Sequence, residues 1–316
     1  MVATFLILYL IFLKIEFKVF YSVFFKTSLS LVLVAFFICS AHFFISTVKW
    51  RRLASFLGAK LKLIYYLKLN LIGLFYTAIM PGGAVTGDLI KCYRVFKTSQ
   101  DRRVLVSAIF MDRLTGFVGL LLSIVLGSFV PGSEGFPYYH ELAIISVALL
   151  ALFFCSLLFM GEIEVCLKKI AARIYSPAED ILDKVFFALR SYSKNYFLLA
   201  WAVAVGAIMY VISSVAIYAL AAAASIDVSF FDVFVVNCLS NLALILAPVT
   251  FFGFGIREGS FVYFLGSVGI ARESALFLSL AFGVLSLTIG MIGGIIEGSD
   301  LILLARTKLK ATEQKI

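Results

Sequence analysis

"MPGGAVTGDLIK", Met80 to Lys91, interrupts an apolar run with one proline, three glycines and two charges. Proline removes a backbone donor, and glycine reaches backbone angles closed to other residues, so a continuous helix stops here. Both flanks of the interruption are basic. Arg51 and Arg52 precede the apolar run Leu61 to Met80, and Lys91, Arg94, Lys97, Arg102 and Arg103 follow it. Cytoplasmic segments of membrane proteins carry an excess of Lys and Arg. A single crossing cannot have both flanks on one side, whereas a hairpin that enters and leaves by the same face can. Irregular backbone at membrane depth is tolerated only when it is buried in protein or lines a wet cavity. The stretch therefore predicts a re-entrant hairpin with a polar turn at Pro81, Gly82, Gly83 and Gly87, followed by Asp88 and Lys91.

The rest of the chain agrees with a membrane setting. It has 316 residues, of which 63% are hydrophobic and 14% charged, against about 25% charged in soluble proteins. The apolar runs Leu29–Val48, Val104–Val130, Leu142–Met160, Tyr196–Ala224 and Ala275–Ile296 are of membrane-spanning length or close to it. The net charge of +9 lies in the loops between these runs. It therefore reads as orientation bias and not as a nucleic-acid surface. The start, "MVATFLILYLIFLK", lacks a basic leader and a small-residue cleavage site, so it reads as a retained apolar segment. Five scattered cysteines without CxxC give no zinc or disulfide framework. His42 and His140 form no HExxH, and GxxxxGK[ST] is absent, so neither metal nor ATP chemistry is expected of this chain. No cofactor is expected.

A second interruption, "APVTFFGFGIREGS" (Ala247–Ser260), again combines a proline, glycines and adjacent charges: Gly255, Arg257 and Glu258. Its flanks read as external. Matched interrupted helices in two halves of opposite orientation point to an inverted-repeat transporter with its site between the breaks. The expected architecture is an all-α polytopic bundle with two broken hairpins. Its first half is 29–130, a connecting span and cytoplasmic loop occupy 142–195, and the second half is 196–300, all within one membrane domain, 1–316.

"FMDRLTGF" places Asp112 and Arg113 about 12 Å into a helix that starts near Val104. Each such charge costs roughly 2.5–3.5 kcal/mol on insertion scales. Neighbours in sequence do not share a helix face, so each needs a partner elsewhere. Asp88, Lys91, Arg257, Glu258 and water are the candidates. "DLIKCYRVFKTSQDR" sets Lys91, Arg94, Thr98 and Arg102 on one helical face opposite Leu89, Cys92 and Phe96, which predicts an interfacial helix with a basic face toward anionic lipid. Asn237 and Asn241, four apart, predict hydrogen bonding between helices.

Four motifs in order, "STVKWRRLASFLGAKL" (Ser46–Leu61), "MPGGAVTGDLIKCYRVFK" (Met80–Lys97), "DRLTGF" (Asp112–Phe117) and "GFGIREGSFVYFLGSVGI" (Gly253–Ile270), resemble the lysylphosphatidylglycerol synthase transmembrane-region family of flippase-like membrane proteins. The resemblance implies a helical bundle that moves a lipid head group across the bilayer, as the stand-alone module without an aminoacyl-transferase domain. It carries function to Gly82, Gly83, Gly87, Asp88 and Lys91, to Asp112 and Arg113, and to Arg257 and Glu258. The expected function is a lipid flippase or transporter that hydrolyses no ATP itself. The alternative is a membrane accessory or scaffold for envelope glycosylation that handles a polyprenyl-phosphate carrier. The expected location is a prokaryotic plasma membrane. The expected partners are anionic or phosphate-bearing lipids, a lipid-modifying enzyme or glycosyltransferase, and a second copy of the chain, with no nucleic acid. An intramembrane transferase is the least favoured reading.

Overall fold

The computed structural model describes residues 16–80, 82–98, 102–130, 135–158, 164, 186–193, 195–247 and 253–313. Pro81, residues 1–15 and most of the polar stretch 161–195 lie outside this set. The described chain is all-helical: α1 Phe17–Lys26, α2 Leu29–Phe56, α3 Leu63–Ile79, α4 Gly83–Thr98, α5 Arg102–Gly127, α6 Tyr139–Leu158, α7 Tyr196–Ala223, α8 Phe230–Leu246, α9 Ile256–Ser267 and α10 Arg272–Glu313. A further helical turn pair occupies 186–193. No strand occurs among the described residues. The helices α2, α5, α7 and the 272–300 part of α10 are long and apolar enough to cross a membrane.

Helix ends follow local chemistry. Gly58, at φ +98°, closes α2 in a conformation that side chains with a Cβ resist. Asn195 accepts the Leu198 N–H at 2.9 Å to start α7, and Ser229 accepts the Asp232 N–H at 3.0 Å to start α8.

A shift of 167 residues, the separation of His42 from Met209, carries α2 onto α7 and α3 onto α8 with both ends of each helix in register. The same shift carries Pro81 onto Pro248 and Asn70 onto Asn237. The last pair acts alike. The Asn70 amide donates to Thr47 Oγ1 on α2 at 3.0 Å, and the Asn237 amide to Ser213 and Ser214 Oγ on α7 at 2.7 and 3.0 Å. Asn241 bonds back to Asn237 at 2.8 and 3.0 Å, so Asn237 is the member that reaches the neighbouring helix.

α2 and α7 lie antiparallel. Ser28, before α2, donates to the Ala223 carbonyl at the end of α7 at 2.8 Å. His42 meets Met209 O at 3.0 Å in the middle. At the other end the Tyr192 hydroxyl donates to Leu53 O at 2.9 Å, and Arg52 stacks on Trp201 at 4.2 Å. Burial pushes the Tyr192 phenol well above its ordinary pKa, so it stays a neutral donor.

The first hairpin doubles back. Lys68, near the start of α3, and Arg94, near the end of α4, both reach Asp300 on α10, at 2.8 and 3.7 Å. The arms approach closely because a Cβ on Gly87 would strike Thr77 Oγ1 and the Gly73 carbonyl. α3 also packs on α10, where Gly293 leaves room for the Leu71 carbonyl. α5 meets α7 through Gly119 and Gly206, where added Cβ atoms would lie 2.7 Å from Ala207 N and 2.9 Å from Thr115 O. Without a hydrophobic drive between helices in lipid, close backbone packing of this kind supplies much of the association. α8 and α9 form the second hairpin, whose α9 arm packs on α10, while α6 packs on α5 and α1 on α10. There Phe20 meets Phe277 edge-on at 6.3 Å, and the Glu16 N–H donates to Glu273 at 3.2 Å.

Candidate functional site

α4 is turned opposite to the interfacial orientation that its sequence suggested. Val85, Leu89, Tyr93 and Phe96 form its outer stripe, 48–63% exposed. Lys91 is buried at 8% exposed, and Asp88 and Arg94 also face inward. The spacing of four, four and three residues is one face of an α-helix. In water such a face would be an exposed apolar seam. In lipid it is the solvated side, and the polar side must find partners in the protein. The exposed face of α4 is therefore the apolar one, and its basic residues are turned into the protein.

The partners are specific. Arg113 on α5 grips Asp88 with two parallel bonds, Nε to Oδ2 and Nη2 to Oδ1, the second at 2.8 Å. Such a fork fixes orientation as well as charge. Lys91 Nζ reaches Asp88 Oδ1 at 3.2 Å. Asp112 pairs with Lys49 on α2, whose Nζ lies 3.2 Å from Oδ1 and donates to the Asp112 carbonyl at 3.0 Å. Asp112 and Arg113 thus point to different helices, as their adjacency requires. Arg113 found a partner the sequence offered, and Asp112 found one it did not. Lys49 is almost wholly buried. Its signal was its place before the true helix end: α2 runs on to Phe56, so "VKWRR" is inside the helix and not merely its flank. Beside it, the Trp50 ring lies 5.7 Å from Lys91 Nζ and meets Tyr66 edge-on at 5.0 Å. The buried Trp50 Nε1 has no hydrogen-bond partner among the described residues.

Arg94 belongs to a neighbouring cluster. It pairs with Glu297 of α10, which also accepts from the Tyr76 hydroxyl at 3.2 Å, and it shares Asp300 with Lys68. Glu297 escaped the sequence reading because the returning span was ended at Ile296, while the helix continues to Glu313.

At the second break the charges turn on one another. Glu258 Oε1 receives Arg257 Nη2 at 2.9 Å and the Ser279 hydroxyl at 3.1 Å, while Oε2 receives the Gly255 N–H at 2.6 Å. Glu258 is 0% exposed. Adjacent residues can pair here because Glu258 lies in the first turn of α9 and folds back over its start. The Arg257 guanidinium occupies the space that a Cβ on Gly283 would fill, with Phe254 at 5.4 Å.

The structure therefore joins Asp88, Lys91, Asp112 and Arg113 at the first break, with Gly82 and Gly83 at the turn and Gly87 in the hairpin seam. At the second break Arg257, Ser279 and the Gly255 N–H all bond to Glu258. The family model for the lysylphosphatidylglycerol synthase TM region matches residues 1–294. No curated protein and no solved structure matches the chain.

Proposed function

The chain belongs to the lysylphosphatidylglycerol synthase TM region family, and from that premise we propose that it is a multi-pass membrane protein that moves a phosphate-bearing lipid across the bilayer. It does so without ATP hydrolysis of its own and without bond chemistry. The observation that carries this reading is α4, a helix with an exposed apolar stripe on one face and Asp88, Lys91 and Arg94 turned inward on the other. A head group leaving the lipid face meets Arg113, whose side chain is 52% exposed, at the mouth of this polar interior. Moving an unaided charge through a core of about 30 Å is prohibitive. A fixed guanidinium fork replaces part of the hydration that the phosphate gives up.

On this reading α3 and α4 are the arms of a re-entrant hairpin. Single cysteines replacing Arg51 and Lys97, in a cysteine-free background, should then react with an impermeant thiol reagent from the same side. Transport is tested with purified protein in vesicles carrying lipids labelled on their head groups or chains. Movement well above protein-free vesicles supports the assignment, and no movement for any phosphate-bearing lipid removes it.

A further inference from the structure

We propose that the first break sorts lipids by charge: it takes a phosphodiester head group of net charge −1 and rejects phosphomonoesters. This deepens the transport reading and rests on it.

The inference comes from comparing three charged groups inside the bundle. Arg257 with Glu258 is neutral. Lys68 and Arg94 with Glu297 and Asp300 are also neutral. The first break is different. Lys49, Lys91 and Arg113 face only Asp88 and Asp112, three cations to two carboxylates among the described residues. Lys49 and Asp112 pair off, so the excess positive charge lies on Lys91 and Arg113, two cations that share the single carboxylate of Asp88. Uncompensated charge is strongly disfavoured in a low-dielectric interior. Here it coincides with the half-exposed side chain, Arg113.

A phosphodiester brings one negative charge and makes the group neutral. A phosphomonoester carries about −1.5 to −2 at pH 7 and would leave a buried negative excess. A zwitterionic head group would bring its ammonium against Lys91 and Arg113. Asp88 uses two of the five guanidinium N–H groups of Arg113, which leaves three for a phosphate. Trp50 adds an independent sign of an absent acceptor. Its buried N–H has no partner, and its ring lies against Lys91.

Two kinds of lipid share the diester chemistry, glycerophospholipids and polyprenyl phosphosugars. The full chain, purified in neutral detergent at pH 8, is tested for binding of phosphatidylglycerol, a polyprenyl phosphosugar and a polyprenyl monophosphate. At least one diester should bind about tenfold more tightly than the monophosphate, and which one does so identifies the source. Arg113→Gln brings the group to zero and should erase the preference. Asp112→Asn brings it to +2 and should turn the preference toward the monophosphate, and Asp88→Asn makes the same change if Asp112→Asn does not fold. Trp50→Phe should weaken diester binding without altering the order. Equal or tighter binding of the monophosphate by the unaltered protein overturns the proposal, as does a diester preference that survives all the charge changes. Selective diester binding without movement in vesicles would leave the charge rule standing and remove the transport reading instead.

Discussion

The two breaks use one backbone device for opposite ends. Each turns on two glycines in the left-handed region: Gly82 at φ +96° and Gly83 at +53°, Gly253 at +76° and Gly255 at +92°. Each follows a helix of the same length at the same point of a 167-residue shift. The difference lies in the short helix that follows. α9 carries Glu258 in its first turn, and that carboxylate neutralises both Arg257 and the positive end of the helix. α4 has no acid in its first turn. Its carboxylate, Asp88, lies further along and is shared by two cations from two helices. One position for an acid thus separates a carboxylate that bonds within its own helix start from one shared by cations of two helices.

The contrast is broken most directly at Arg257. Removing one partner of a buried ion pair costs about 3–5 kcal/mol. Arg257→Gln should therefore lower the melting temperature in detergent strongly, with lipid movement per folded molecule unchanged. Arg257→Lys should recover part of the stability, since lysine keeps the charge but loses the fork. A well-folded Arg257→Gln protein that no longer moves lipid would falsify the division of labour. Arg113→Gln should do the reverse. A hydrogen bond to a charged group is worth about 1.5–3 kcal/mol, so movement should fall roughly ten- to a hundredfold while the melting temperature barely shifts.

The hairpin seams give a smaller contrast. Gly87→Ala presses a methyl group into Thr77 and the Gly73 carbonyl, and such overpacking costs about 1–3 kcal/mol. Gly266 in α9 has open space where its Cβ would be. Gly266→Ala should be neutral or stabilising by up to about 1 kcal/mol, read as resistance to unfolding in detergent. The smallest effect sharpens the likeness instead. Asn70→Ala and Asn237→Ala should each cost about 0.6 kcal/mol, the average for such bonds in lipid, and by similar amounts. A large inequality between them would show that the equivalent positions do different work.

The membrane class, the two interruptions and most helix bounds were legible because they depend on composition and on glycine and proline, which act locally. The span read at Tyr196–Ala224 differs from α7 by one residue. The orientation of α4 was not legible from its own residues. Its pattern has the same period whether the basic face points out or in, and the surrounding solvent decides which. The partners of Asp112 and Arg94 were hidden for another reason. Lys49 and Glu297 sit near the apparent ends of apolar runs, where a charge reads as a boundary, and only the continued helices α2 and α10 place them inside. The pairing of Arg257 with Glu258 was equally beyond reach, since similar breaks look alike until Glu258 is seen folding back.

α6 lies between the two matched halves, and the sense of the whole molecule turns on it. On the re-entrant reading a hairpin crosses nothing, so α2 and α5 return the chain to the face where it began. A second copy joined there would insert the same way up. One further crossing changes the parity. At 20 residues, α6 is about 30 Å long, which is the thickness to be traversed. On that reading a crossing by α6 would place α7, which lies antiparallel to α2, in the opposite sense to it. Adding or deleting one such crossing between the halves would leave every helix of the second half intact and turn all of them upside down.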